Sequence, residues 1–402
     1  MDDIGATVVL RPGREKPILN RHPWVFSGAV RSIDGKVDDG GLVRVVDREG
    51  AYLATGYLNR RSQIVVRILT WDPQAEVGVD FWRSRLQTAI AGRRRQDDDP
   101  ATDAYRLVNA EADRLPGLVV DRYGDWLVIQ CLTQGMARLR DQLVTLLAEC
   151  RGTSLPDLKG IYARDDAKVR RKEGLPLESG PLWGEEPPDR VLVTENDCQF
   201  LVDLKVGHKT GFYLDQRANR LEAATYSSDS RVLNAFSYTG GFGIYAGRAG
   251  ARSVVNIDTS AAALHLAEEN AALNGCDPQE QVLGDVFDVL RAFRTEGREF
   301  DLIILDPPKF ATSRPQVMAA SRGYKDVNLL AMQLLRPGGF LFTFSCSGLL
   351  SRDLFQKIVF GASVDAGRDV QVLKRLSQGS DHPVLLTFPE SDYLKGLLCR
   401  VW

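Results

Sequence analysis

The chain has 402 residues, more than one hydrophobic core ordinarily organises, so two or three domains are expected. Its 44% hydrophobic and 26% charged residues exclude a disordered chain, and no apolar run reaches the roughly 20 residues of a bilayer-spanning helix. A net charge of −2 does not advertise nucleic-acid binding, and six scattered cysteines without a CxxC pair or neighbouring histidines offer neither a zinc site nor a disulfide framework.

The opening, MDDIGATVVLRPGREKP, is acidic and lacks an apolar h-region, so no signal peptide is expected and a cytoplasmic location is. Residues 1–72 are dense in short β-type runs (ATVVL, WVFSGAV, GLVRVVD, AYLATGYL, QIVVRIL) separated by Gly and Asp/Asn turns. That spacing predicts a small all-β barrel with its exit at Trp71 to Pro73. Eleven basic residues against nine acidic make this end only mildly basic. Arg11, Arg14, Lys16, Arg21, His22 and Trp24 interleave charge with an aromatic ring, as an RNA-tracking surface would. The alternative is a solvated face, with Trp24 in the core.

A helix follows over roughly 79–95, with Phe81, Leu86 and Ile90 among its apolar positions. Arg93 to Arg95 suit a helix end near its favourable dipole better than an RNA clamp. Asp97 to Pro100 break the pattern. Strands RLVNA, LPGLVVDRYG and WLVIQCL, a helix near 136–150 and the strand LKGIYAR then form a compact α+β unit. Gly174 to Asp189, rich in Pro, Gly and acids, reads as the next linker.

From about 190, strands alternate with helices: RVLNAF, then GFGIYAGRAG; SVVNID, then SAAALHLAEENAALNG; FDLIILD, then DVNLLAMQLLRPGG with a Gly stop; and FLFTFSC. This is the pattern of an open, mostly parallel, doubly wound sheet. Ligands of such sheets sit beyond the carboxyl ends of the strands. The first such loop holds Gly240, Gly241 and Gly243, which permit tight turning and close approach of a ligand, or serve only a tight turn. Asp258 ends SVVNID, 24 positions after Asn234, where an acid can accept from both ribose hydroxyls; a helix N-cap is the alternative. Asp285 suits an adenine amino group, again with a cap as alternative. Asp306 opens DPPKF, whose paired prolines make a rigid turn able to hold a carboxylate against a substrate. There is neither GxGxxG nor a P-loop lysine.

A Gly loop, a ribose acid, an adenine acid and DPP at successive strand ends resemble class I S-adenosylmethionine-dependent methyltransferases. In amino-group methyltransferases an aromatic residue directly follows the prolines; here Lys309 takes that place and Phe310 is displaced by one. Cys346, in TFSCSG at a strand end, points elsewhere. Carbon 5 of a pyrimidine is a poor nucleophile until a thiolate adds to carbon 6. Cys346 has the placement for that attack, and its flanking serines and glycine argue against the alternative of an inert core cysteine. Asp306 would then contact the cytosine N3 and amino edge. Lys309 would hold a phosphate or polarise the base carbonyl, unless it is simply solvated.

The segments DLKVGHKTGFYLDQR, NAFSYTGGF, DPPKF, GYKDVN and LFTFSCSGLL strongly resemble the bacterial 23S rRNA cytosine-C5 methyltransferase family of the PUA-domain type. The likeness spans essentially the whole chain, including REKPILNRHPWVFSGAV. It implies a PUA-like RNA-binding domain over 1–73, a central α+β domain over 74–185 and a Rossmann-like methyltransferase domain over 186–402. It also implies S-adenosylmethionine as cofactor, with Asn234, Phe236, Ser237, Gly240, Asp258, Asp285 and Asp306 around it, and no metal. Cys346 is implied as nucleophile, 23S rRNA as partner, and a homodimer as plausible. Other RNA cytosine-C5 enzymes carry a second cysteine in the DPP-type loop; this chain has none, so the base that removes the carbon-5 proton is unassigned. His208, Lys209, Tyr213, Asp215 and Arg217 can close over the methionine end of the cofactor, with Asp215 at its amino group and Arg217 at its carboxylate; an Asp215–Arg217 loop ion pair is the alternative. The competing functions are methylation of uracil C5, a guanine amino group or a small molecule, and non-catalytic RNA binding.

Overall fold

Alternation in ATVVL buries Ala6, Val8 and Leu10 on one face of the first strand, Ala6–Leu10, and this sets the register of the N-terminal β domain. A computed structural model describes residues 4–155, 157–311 and 313–402, with the backbone alone at Asp97; Asp2 and Asp3, on which the acidic start was read, lie outside it. Contacts divide the chain into two units. One takes Met1–Val193, Val202–Leu214 and Ser380–Ser391; the other takes Thr194–Leu201, Asp215–Gly379 and Asp392–Trp402. Among the described residues no helix is long and apolar enough to cross a membrane.

The first unit holds two sheets. A six-stranded sheet runs in the order Trp24–Phe26, Ile64–Thr70, Tyr52–Leu58, Leu42–Val46, Ala6–Leu10, Val30–Gly35, around a core that includes Val8, Val43, Leu58 and Val66. Trp24 is half-buried; its indole N–H donates to Glu111 Oε1 at 2.8 Å, and its ring meets Phe388 with centroids 4.6 Å apart, so the packed reading holds. A five-stranded sheet runs Glu178–Gly184, Gly160–Asp165, Trp126–Cys131, Leu118–Tyr123, Ala104–Asn109. Its edge corrects the linker expected at 174–189, because Glu178–Gly184 pairs antiparallel with Gly160–Asp165. Pro181 hides that strand in the sequence, yet proline is tolerated at a sheet edge, where its missing N–H breaks no ladder.

The helix expected over 79–95 ends at Ala91 and buries Trp82, Leu86 and Ala89, leaving Phe81 and Ile90 half-buried. Arg93 does not serve the helix dipole at the surface. It is buried, pairs bidentately with Asp113 at 2.7 Å, and donates to the Asp381 carbonyl at 3.0 Å. Arg106 N–H donates to the Asp381 carboxylate at 3.0 Å, fastening Ser380–Ser391 into this unit.

The second unit is built on a seven-stranded sheet. Its strands are β1 (Arg231–Ala235), β2 (Ser253–Asp258), β3 (Glu280–Leu283), β4 (Phe300–Leu305), β5 (Leu335–Ser345), β6 (Val370–Leu376) and β7 (Lys395–Val401), in the order β3-β2-β1-β4-β5-β7-β6. β7 runs antiparallel to both neighbours, while β1 to β5 pair in parallel. The helices are α1 (Arg217–Ala224), α2 (Gly241–Arg248), α3 (Ala261–Leu273), α4 (Val286–Thr295), α5 (Val317–Leu334) and α6 (Arg352–Ala366). α4, α5 and α6 share one core with the sheet, and α1 and α2 another. With both faces covered, β4 reads as the unbroken apolar run LIIL. Strand order reverses between β1 and β4, and the crevice beyond their carboxyl ends is the ligand position of this architecture.

Two local expectations change. α5 begins at Val317, well before DVNLL, and ends at Leu334 without a glycine cap; RPGG belongs to β5, where Gly338 takes φ 84°. Gly243 does not serve ligand approach: a Cβ there would lie 2.6 Å from Asn256 Oδ1 and 3.0 Å from Gln279 Oε1. α2 therefore needs a bare backbone against β2. Gly243→Ala should lower stability by about 1–3 kcal/mol, although alanine is the better helix former, because the overlap outweighs propensity. Denaturant unfolding measures it.

Candidate active site

The loop after β1 is wound more tightly than its glycines suggest. Phe236 (φ 60°), Tyr238 (φ 48°) and Gly240 (φ 81°) are all left-handed, and two of them carry a Cβ. Such residues cost about 1–3 kcal/mol each and persist only where neighbours over-determine them. Here Ser237 N–H donates to the Ile257 carbonyl at 2.9 Å, Tyr238 N–H to Asp258 Oδ2 at 2.8 Å, and Gly240 N–H to the Ser237 carbonyl at 2.9 Å. The Ser237 and Thr239 hydroxyls are buried and, among the described residues, have no hydrogen-bond partner. Buried hydroxyls of this kind can serve a polar ligand or an ordered water. Asn234 is buried, donating to Asn256 Oδ1 at 2.9 Å, and Asn256 in turn donates to Gln279 Oε1 at 2.8 Å. It braces the strand end.

Asp258 joins the first two loops. Oδ2 accepts from Tyr238 N–H, and Oδ1 accepts from Ser260 N–H at 3.0 Å. The helix-cap alternative is displaced, because Ser260 caps α3. Each carboxylate oxygen keeps lone-pair capacity for a hydroxyl donor. Asp285 does cap its helix: Oδ1 accepts from Phe287 N–H at 2.9 Å, with the residue exposed. Asp285 thus combines a cap with a surface carboxylate.

Asp215 is 2% exposed, and its Oδ2 accepts from the Tyr393 hydroxyl at 2.6 Å. Arg217 is buried at the first position of α1. His208, Lys209 and Tyr213 belong to the other unit, where His208 Nδ1 lies 3.2 Å from the Tyr213 hydroxyl and Lys209 Nζ 4.6 Å from its ring centroid.

Cys346 directly follows β5, half-buried, and its loop is tied to DPPKF directly at Pro307, through Tyr324 to Phe310, and at the adjoining Ala311. Its sulfur lies 4.0 Å from the Pro307 carbonyl. Ser347 donates to the Ala311 carbonyl at 3.1 Å. Ser345 donates at 3.0 Å to the Tyr324 hydroxyl, and the Tyr324 ring packs on Phe310 with centroids 4.6 Å apart. The flanking serines are therefore buried braces and do not keep Cys346 from the core: Cys346 packs, half-buried, against the core that α1 and α2 share with the sheet. Phe310, engaged by Tyr324, Phe236 and Phe287, is part of the packing and not a free stacking platform. Lys309 is exposed and Asp306 half-buried.

Sequence reasoning missed Tyr324 and Lys395. Tyr324 was quoted only within GYKDVN; burial, with a further push from Cys346 and Asp306, takes its phenol up to about 12. Burial works against a thiolate at each of the other cysteines. Burial pushes Cys198 up to about 11 and Cys399 to about 12, and raises Cys131, Cys150 and Cys276 as well.

In the β domain, Arg11, Arg14, Lys16 and Arg21 are all exposed. Arg11 Nε donates to the Val30 carbonyl at 3.0 Å, Lys16 opens the short helix Lys16–Leu19, and the Arg21 guanidinium lies 5.2 Å from the Trp71 ring centroid.

Residues 8–71 match the PUA-like domain family, and residues 169–383 match the S-adenosylmethionine-dependent methyltransferases. Ribosomal RNA large subunit methyltransferase I of Klebsiella pneumoniae (strain 342) is 47% identical over 402 residues, covering 100% of this chain and 99% of its own. The protein of that name from Serratia proteamaculans (strain 568) is 49% identical over 394 residues, covering 98% of each chain. The crystal structure of SMU.776 complexed with SAH shares the fold with a TM-score of 0.85 at 24% identity, over 98% of this chain and 99% of that one.

Proposed function

The chain belongs to the ribosomal RNA large subunit methyltransferase I family, and we propose that it methylates carbon 5 of a specific cytosine in 23S rRNA through a covalent adduct between Cys346 and carbon 6. The methyl donor is S-adenosylmethionine, which when bound supplies an electrophilic methyl group. The orphaned Ser237 and Thr239 hydroxyls, the doubly bonded Asp258 carboxylate and Asp285 fit such a ligand, with Asp215 and Arg217 assigned to its methionine end.

In this reading the Cys346 thiolate forms a bond to carbon 6, and the electron pair of the 5,6 double bond moves to carbon 5. Asp306 holds the N3 and amino edge and favours protonation there as the sulfur adds. Carbon 5 then accepts the methyl group. Loss of the carbon-5 proton restores the double bond and breaks the bond to sulfur. Cys346 leaves as the thiolate at that step, and because no second cysteine stands in Asp306–Phe310, the base that takes the carbon-5 proton is a group other than a DPP-loop thiol. Lys309 holds a phosphate beside the base. Arg11, Arg14, Lys16 and Arg21 contact the RNA backbone, within a division of labour over 1–73, 74–185 and 186–402.

The observation that carries this reading is the bracing of the Cys346 loop onto Pro307, Tyr324 and Ala311, which keeps a thiol beside the DPPKF loop assigned to the base. The test is nucleoside mass spectrometry after incubating 23S rRNA with the enzyme and methyl-labelled cofactor. Labelled 5-methylcytidine is expected. Labelled 5-methyluridine or a methylguanosine would defeat the atom assignment, and salt-sensitive RNA binding without label would defeat catalysis altogether.

A further inference from the structure

Lys395 opens β7 and has no part in the chemistry described so far. Antiparallel pairing with β5 sets it opposite Ser345, the residue before Cys346. Its side chain is buried, and Nζ donates to two carbonyls, those of Ser347 and Tyr393, each at 3.0 Å. The ammonium is thus fastened to the residue after Cys346 while its backbone faces the residue before it. Among the described residues no carboxylate forms an ion pair with Lys395. Asp392, the nearby acid, is held by Arg352 Nε at 2.9 Å.

A buried ammonium without a carboxylate is expensive, and burial drives the Lys395 pKa down. The charged groups around it are Asp392, Arg352, Lys309 and Cys346, and of these Cys346 and Asp392 favour its protonated form. Cys346 in turn acts electrostatically on Tyr324 of α5 and on Lys395 of β7, and Asp306 of the DPP loop acts on Tyr324.

We propose that Lys395 is the counter-charge that holds Cys346 as a thiolate. The thiol proton leaves to solvent, Lys395 stays protonated, and no proton passes between the two. Lys395 is a positioning residue acting through Cys346, and the proposal rests on the reading of Cys346 as nucleophile. An ammonium beside a thiol lowers its pKa in the way that activates cysteines generally.

The test follows alkylation of Cys346 by iodoacetamide as a function of pH in the full-length protein, reading the Cys346 peptide by mass spectrometry. Lys395→Met should raise the midpoint by at least about one unit, roughly a tenfold loss of rate at pH 7, while Lys395→Arg keeps it near the wild-type value. An unshifted profile in a folded Lys395→Met protein overturns the proposal. The wild-type protein gives a second measurement that needs no variant: Cys346 must titrate below half-buried Cys150 and Cys276, and a midpoint no lower than theirs also overturns it. Thiol titration is independent of turnover. A Cys346→Ala protein that still methylates would sink the covalent reading and leave the alkylation result standing.

Discussion

Replacing Cys346 with alanine is expected to lower methyl transfer by at least about 10⁴-fold, while S-adenosylmethionine affinity stays within about twofold of wild type. The size follows from what is lost. Without sulfur at carbon 6, carbon 5 of cytosine has no electron pair to offer, and positioning alone cannot supply one. Cofactor affinity is largely insulated because, of the groups assigned to it, all but Asp306 lie at the ends of β1, β2 and β3 or at the start of α1, whereas Cys346 follows β5 and contacts the DPPKF loop. Stability should change by less than about 1 kcal/mol, since the side chain is small and half-buried. Single-turnover methylation, equilibrium dialysis of the cofactor and thermal unfolding measure the three quantities. Methylation persisting near the wild-type rate would refute the covalent route.

Asp258→Ala should give the opposite profile: cofactor Kd rises roughly 10- to 100-fold while the Cys346 alkylation profile keeps its wild-type midpoint. Two effects add. The carboxylate assigned to the ribose hydroxyls is removed, and the Tyr238 and Ser260 N–H groups lose their acceptor. The second effect matters because Tyr238 is left-handed, and a left-handed non-glycine residue relaxes once its tether is cut. Titration calorimetry would read the change. A Kd within threefold of wild type would remove Asp258 from the cofactor site.

Four strands of the catalytic sheet, β1, β2, β4 and β5, were legible as apolar runs with helices between them, whereas the largely exposed edge strands β3 and β6, and the C-terminal β7, were not. SVVNID is β2 to the residue. The edge strand Glu178–Gly184 was not legible, since an edge needs neither alternation nor freedom from proline. In the site, the acids were visible by their positions after strands. The left-handed Phe236 and Tyr238 were not, because nothing about those side chains announces positive φ. Gly243 was legible as a glycine and misread in purpose: its contact with Asn256 is long-range. Lys395 escaped for the same reason, since it meets the Cys346 loop only when β7 inserts beside β5, some fifty residues later in the chain.

The chain passes between its two units five times. Neither unit is a contiguous cassette, and the first is closed by Asp381, accepting from Arg93 and Arg106 nearly three hundred residues upstream. During synthesis the N-terminal unit therefore cannot acquire its last buried partners until Ser380–Ser391 has left the ribosome. A unit built this way cannot be exchanged as one contiguous segment of the gene.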